Sequence, residues 1–189
     1  MLRNFKPMKL QYYFLFFLIF SLASCGRLPA KVVPKEDIKD VSFKAQMTDS
    51  GYTLKGDLVI EPFKSGENVP ASLDVDQASL MMVKGFVEAM PQGNSPLKVI
   101  TDSDTSRAKI FIKGYITKYE KSEGLMDYVQ KKPNVLTVEG KVINLEDNRV
   151  IVDFSASIQS IEQSNFNDFA YKIGQRLAAY LVGQEKGSL

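Results

Sequence analysis

Ser106-Arg-Ala-Lys109 has the spacing of a serine acyl-enzyme, in which a lysine one turn after the serine takes its proton. That chemistry needs both side chains on one face of a helix. The residues from Ala108 onward alternate apolar and polar, so the tetrapeptide is predicted to run into a strand and to have no catalytic role. Two carboxylate pairs, Asp74-x-Asp76 and Asp102-x-Asp104, have the oxygen chemistry of a calcium site, but neither carries the glycine and distal glutamate of a calcium loop. They are expected to cap a helix and to solvate a loop, with no metal bound. The 189-residue chain contains 0 His and 1 Cys, which removes His-activated nucleophiles, His metal ligands, thiolate clusters and any intramolecular disulfide. An enzyme built on carboxylates alone would require two of them to converge in a cleft, which no spacing here implies. The chain is therefore expected to be neither an enzyme nor the carrier of a cofactor.

The single cysteine lies at the end of a distinctive segment. Residues 1–24 hold Arg3, Lys6 and Lys9, no acid, and the apolar run Leu10–Leu22. This is the pattern of an export signal. As a helix the 13-residue run would be roughly 20 Å long, short of a hydrocarbon layer of about 30 Å, so a permanent span is the weaker reading. Leu22-Ala23-Ser24-Cys25 followed by Gly26 resembles the lipobox of bacterial lipoproteins. That resemblance implies cleavage between Ser24 and Cys25, a diacylglyceryl thioether on Cys25, and acylation (typically palmitate) of the new amino terminus. Two or more acyl chains anchor stably where one is marginal. Asp after the cysteine resembles an inner-membrane retention signal in enterobacterial lipoproteins; Gly26 stands there instead, and the expected location is the periplasmic face of the outer membrane.

Loss of residues 1–24 takes away three of the 24 Lys+Arg and none of the 22 Asp+Glu, leaving a net charge near −1. No basic cluster with interleaved aromatics remains, so nucleic acid is not an expected partner. The stretch from Gly26 to Asp40 carries Pro29 and Pro34, mixed charge and no apolar periodicity, and reads as a tether. Fifteen flexible residues reach roughly 20 Å on average and about 50 Å at full extension. The expected organisation is a signal over 1–24, a lipidated tether over 25–40, one periplasmic domain over 41–183 and a tail over 184–189.

Within that domain two hydrophobic periods alternate. Val41–Met47 reads as a short strand, and Tyr52–Phe63 puts Leu54, Leu58 and Ile60 on one face until Pro62. Lys109–Lys121 sends Ile110, Ile112, Gly114 and Ile116 to one side and Lys113, Tyr115, Thr117 and Tyr119 to the other. Val135–Ile143 places Leu136, Val138, Gly140 and Val142 inward, and Arg149–Ser157 places Val150, Val152, Phe154 and Ala156 inward. A short strand is expected over Leu97–Thr101. Two amphipathic helices cover the buried face. The first starts at the Asp74-x-x-Gln77 signal and stops at Pro91; the second starts near Ser164 or Asn165, carries Phe166, Phe169, Ala170, Ile173, Leu177, Tyr180 and Leu181, and ends at Gly183. In the turn Leu145–Arg149, Asn148 or Asp147 is expected to take a left-handed conformation. A sheet wet on one face predicts an α+β, two-layer fold: a mixed, mostly antiparallel sheet of about four to six strands with both helices on one face.

A resemblance emerges from this order. Asp57-Leu-Val-Ile-Glu-Pro-Phe63, Lys98-Val-Ile100, Ala108-Lys-Ile-Phe-Ile-Lys-Gly114, Leu136-Thr-Val-Glu-Gly-Lys-Val-Ile-Asn144, Val150-Ile-Val-Asp-Phe154 and the C-terminal amphipathic helix resemble a bacterial lipoprotein domain. It is shared by curli-secretion-channel subunits and penicillin-binding-protein activators. The resemblance implies the fold. It does not imply a channel, because the pair of long amphipathic hairpins that a pore would insert is missing.

The segment Ser122–Pro133 fits neither core nor a simple turn. Leu125 and Val129 fold back over the sheet edge, or Leu125, Met126 and Tyr128 form a partner-binding lip with Tyr128 as its anchor. The alternation in Lys109–Lys121 adds Tyr115 and Tyr119 to that candidate surface, ringed by Thr137, Glu139 and Lys141. The function expected is a binding or assembly subunit of an envelope complex, in secretion or cell-wall machinery, whose partners are the bilayer through Cys25 and an envelope protein. The alternative is a periplasmic carrier of lipid or glycan, for which Phe86, Ile110, Val138 and Val152 would have to line an unfilled cavity.

Overall fold

Strict apolar alternation in the middle of the chain and 3.6-residue periodicity on either side of it produce one sheet and two long helices. The computed structural model describes residues 41–48, 51–91, 93, 95–100, 105–122, 125–130, 132–160 and 165–186. Signal, Ser24, Cys25, tether, Asp102 and Asp104 lie outside the described residues. The strands are β1 (Ser42–Met47), β2 (Gly56–Ile60), β3 (Lys64–Ser65), β4 (Leu97–Val99), β5 (Ile110–Glu120), β6 (Asn134–Asn144) and β7 (Arg149–Ser160). The helices are α1 (Leu73–Ala89), the single turn α2 (Leu125–Val129) and α3 (Phe166–Lys186).

The sheet runs β1-β7-β6-β5-β2-β4, with β3 added to β5 beyond the end of β2. β1/β7, β7/β6 and β6/β5 are antiparallel, and β5/β2, β2/β4 and β3/β5 are parallel. The fold is the predicted α+β arrangement, with seven strands because the two-residue β3 forms after Pro62. β2 and β4 are parallel neighbours, so the chain between them must cross over, and α1 is that crossover.

Side chains from α1, α3 and one face of the sheet make a continuous core that includes Leu58, Met82, Phe86, Ile112, Val138, Val152, Ile173 and Leu177, all fully buried. The helices touch backbone to backbone. A Cβ on Gly174 would lie 2.8 Å from the Phe86 nitrogen, and one on Gly85 would lie 2.9 Å from the Tyr171 carbonyl carbon. In the sheet, Gly114 and Gly140 face each other across β5 and β6. A Cβ on Gly114 would come within 2.7 Å of the Phe63 ring and one on Gly140 within 2.9 Å of the Phe154 ring, so the two glycines leave room for aromatic rings 6.1 Å apart.

Several local features differ from expectation. α1 is capped by Ser72, whose Oγ accepts from the Val75 N–H at 3.3 Å, and Asp74 and Asp76 sit inside the first turn beside the positive end of the helix. Asn165 caps α3 as expected, its Oδ1 accepting from the Asn167 N–H at 2.9 Å. α3 passes through Gly183 to Lys186, because Gly183 lacks the positive φ of a terminating glycine. Asn148 does take a left-handed conformation, at φ 53°. Two β-bulges, each an extra residue on one strand, reverse the facing of the residues beyond them. One falls between Ile116 and Lys118 in β5, and the other lets Ile151 slip in between Val150 and Val152 in β7.

Candidate functional site

The face of the sheet opposite the helices is ordered in rows, because directly paired residues point the same way. Lys44, Ser155, Glu139 and Tyr115 form one row across β1, β7, β6 and β5. Gln46, Asp153, Lys141 and Lys113 form the next. Thr137 and Ser157 hydrogen-bond at 3.0 Å on the far side of the first. Lys141 and Asp153 are 3.8 Å apart with both side chains about half exposed, a pair of little energetic weight. Lys113 stands directly opposite Lys141, so two like charges are held side by side where opposite charges would stabilise the pairing.

Tyr115 is the aromatic centre of this face, 51% exposed. It lies between two open depressions, each of ≈ 580 Å³. One extends over Lys44, Glu139 and Asp153, and the other over Ser65, Glu67 and Asn68 in the β3 segment. The predicted rim of Thr137, Glu139 and Lys141 is where alternation puts it.

Tyr119 is not on this face. The bulge after Ile116 reverses the alternation, pairs Tyr119 with the fully buried Leu136, and stacks its ring on Phe166 of α3 with centroids 4.2 Å apart. Tyr119 is therefore a half-buried member of the core edge, and its placement beside Tyr115 is corrected. The bulge at Ile151 likewise turns Val150 away from the core, while Ile151 becomes 1% exposed.

As a result the outer face gains a feature that alternation alone misses. Val59, Phe111, Ile143 and Val150 are direct neighbours across β2, β5, β6 and β7. They form an apolar row outside the main core cluster, and Ile143 is 5% exposed at its centre. Phe111 is visible in the sequence on the same side as Lys113 and Tyr115; only the register brings Val150 to it.

In the Ser122–Pro133 segment the chain forms the one-turn helix α2, held by an Asn134 Oδ1 that accepts from the Ser122 N–H at 2.7 Å and by an ion pair of Lys132 with Asp127 at 2.7 Å. Met126 and Val129, three residues apart on one helical face, are 67% and 68% exposed. Val129 therefore does not fold back over the sheet edge. The side chains of Leu125 and Tyr128 lie outside the described residues.

The chemical motifs behave as structural parts. Ser106 is exposed on a 3-10 turn, Thr105–Arg107, and Lys109 points its ammonium at Glu146, Nζ to Oε1 2.9 Å, tying the β6–β7 turn to the start of β5. That hydrogen bond raises the Lys109 pKa, the reverse of what a lysine base requires. Nearby Tyr52 also titrates high, first through burial and then through Glu146 and Asp147. Among the described residues no group of three or more His, Cys, Asp or Glu is placed to hold a metal ion. Phe86, Ile110, Val138 and Val152, the proposed lining of a ligand cavity, are fully buried within the packed core.

No family model and no curated protein sequence matches the chain. Solved structures do. The PelC dodecamer from Paraburkholderia phytofirmans aligns at TM-score 0.51 and 11% identity over 75% of this chain and 96% of that one, and establishes a shared fold. Protein XCC0632 from Xanthomonas campestris, of family DUF330, aligns at 0.47 and 11% over 76% and 95%. Lipoprotein GNA1162 from Neisseria meningitidis aligns at 0.39 and 10% over 70% and 99%.

Proposed function

We propose that this protein is a lipid-anchored envelope subunit, acylated at Cys25, whose domain binds and assembles other envelope components without catalysing a reaction. The observation that carries this reading is the outer face: an exposed Tyr115 between two depressions, ringed by mixed charge and bordered by the apolar row of Val59, Phe111, Ile143 and Val150. Aromatic centre and polar rim are the anatomy of a transient protein interface. The raised pKa of Lys109 supports the non-catalytic part. PelC, whose fold is shared, crystallises as a dodecamer, and we extend to this chain the expectation that its partners include further copies of itself. Gly26 favours the outer membrane, and the resemblance to curli-secretion-channel subunits and penicillin-binding-protein activators favours secretion or cell-wall machinery as the complex.

The test is crosslinking in intact envelopes followed by recovery of the lipidated chain, comparing wild type with Tyr115→Ala. The variant should keep its thermal midpoint and lose its crosslinked partner. Unchanged recovery with normal folding would remove Tyr115 from the interface. Anchoring is tested separately by Cys25→Ala, which should accumulate as uncleaved precursor because the thioether forms only on that sulfur.

A further inference from the structure

β1 begins at Ser42, which pairs with Ser157 of β7, and Ser157 in turn pairs with Thr137 of β6. The first residue of β6, Asn134, is three residues further along, about 10 Å at the rise of a strand. The end of β5 is at the same level, Glu120 opposite Val135. The chain arriving from Cys25 therefore enters the domain at the end of the sheet where α2 connects β5 to β6. The connection from Cys25 to Val41 is about 16 residues, so even fully extended it holds that end within about 55 Å of the acylated cysteine. At this same end, Met126 and Val129 present two adjacent apolar side chains to solvent.

We infer that the Met126–Val129 face of α2 is a lipid contact that rests on the membrane surface beside the anchor. The inference rests on the lipid-anchored reading and goes beyond it, because it assigns α2 to the bilayer and leaves the outer sheet face to the protein partner. Two side chains would hold a free protein to a membrane only weakly. With the acyl chains already inserted, the contact is intramolecular and draws on a high effective concentration. Apolar burial carries it: Lys118, Lys121, Lys131 and Lys132 are offset by Glu120, Glu123 and Asp127, and Lys118 and Lys132 already pair with acids of the segment. The contact is therefore expected to be insensitive to salt and to the share of anionic lipid, unlike a polybasic one.

The chain has no tryptophan, so Met126→Trp creates a single reporter. Leu145→Trp is the control, at an exposed position in the β6–β7 turn, about 33 Å away at the other end of β6. Full-length lipidated proteins are reconstituted into phosphatidylethanolamine/phosphatidylglycerol vesicles with and without brominated acyl chains. The position-126 reporter should shift to the blue and lose most of its emission to the brominated chains, at low and high salt alike, while the position-145 reporter does neither. In the wild-type protein, peroxide oxidation of Met126 should slow when vesicles are present. If the protein floats with vesicles but the position-126 reporter stays red and unquenched, or Met126 oxidises at an unchanged rate, the lipid contact is wrong and the anchor stands. Protection of position 126 only on adding envelope protein equally overturns it. A chain that fails to float sinks the anchored reading itself.

Discussion

Two glycines nine residues apart in α3 should respond to the same substitution with opposite signs. At Gly174 a new Cβ would lie 2.8 Å from the Phe86 nitrogen and 2.9 Å from the Met82 carbonyl carbon. Carbon contacts are comfortable at about 3.5–4.0 Å, so α1 and α3 would have to part by up to roughly 1 Å. Both obstacles are backbone and cannot rotate aside. Overpacking of this kind costs about 1–3 kcal/mol and more where nothing yields, against a helix-propensity gain of about 1 kcal/mol for alanine over glycine. Gly174→Ala should therefore destabilise by about 2 kcal/mol or more, lowering the thermal midpoint by roughly 5–10 °C. At Gly183 a Cβ would meet nothing within 4 Å, and the residue has no positive φ, so alanine should stabilise by about 0.5–1 kcal/mol. Urea unfolding followed by circular dichroism reads both. A Gly174→Ala protein as stable as wild type would refute backbone contact between the helices. A destabilising Gly183→Ala would restore Gly183 as the terminating residue and shorten α3.

Phe169, 4% exposed at the start of α3, should cost about 3–5 kcal/mol when cut to alanine if the helix seals the sheet, and a loss under about 1 kcal/mol in chemical unfolding would make the helix peripheral. The bulge in β5 makes two tyrosines of one strand unequal: Tyr119→Ala should lose about 2–3 kcal/mol with its stack on Phe166, while Tyr115→Ala should stay within about 0.5 kcal/mol of wild type. Equal effects in denaturant melts would contradict the shifted register. At alkaline pH, the Tyr171 phenol donates to Glu88 at 2.7 Å, and that bond, then burial, raises its pKa above 10.0. The folded state keeps the proton longer than the unfolded one, so this stabilisation is complete below pH 10 and lost as pH rises through the folded value; Tyr171→Phe should flatten the decline in stability above pH 10.

Alternation is a sound guide wherever the ladder is regular. Ile110 to Ile116, Leu136 to Val142 and Val152 to Ala156 face the core as their spacing demands, and the stripe of α3 is buried from Phe166 to Leu181. It fails where an extra residue enters one strand, because period-two counting assumes no insertion and a bulge leaves no mark in composition. Tyr119 and Val150 are misplaced by spacing for that one reason. The N-cap of α1 moves by two residues because Asp74 and Ser72 both suit a helix start, and only backbone geometry separates a cap from a first-turn acid. Tyr115 is legible as an exposed aromatic. Its position between two depressions is not, because β3, which builds one of them, is two residues long and carries no periodic signal.

The lipid contact and the partner face divide the surface in a way that constrains assembly. Tyr115 lies five residues before Glu120 at the α2 end of β5, about 17 Å along the strand, and the apolar row through Phe111 lies further still. A membrane touching α2 beside the anchor therefore leaves Tyr115, Lys113 and Phe111 open. A partner anchored in the same membrane would meet that face by lateral diffusion at a raised effective concentration, so a modest interface suffices. Two like charges held opposite each other at Lys113 and Lys141 then acquire a use: they oppose pairing of this face with the same patch of another copy, and favour an acidic surface. Copies meeting through this face must accordingly present a different patch to it, which is the heterologous contact that closes rings rather than two-fold dimers.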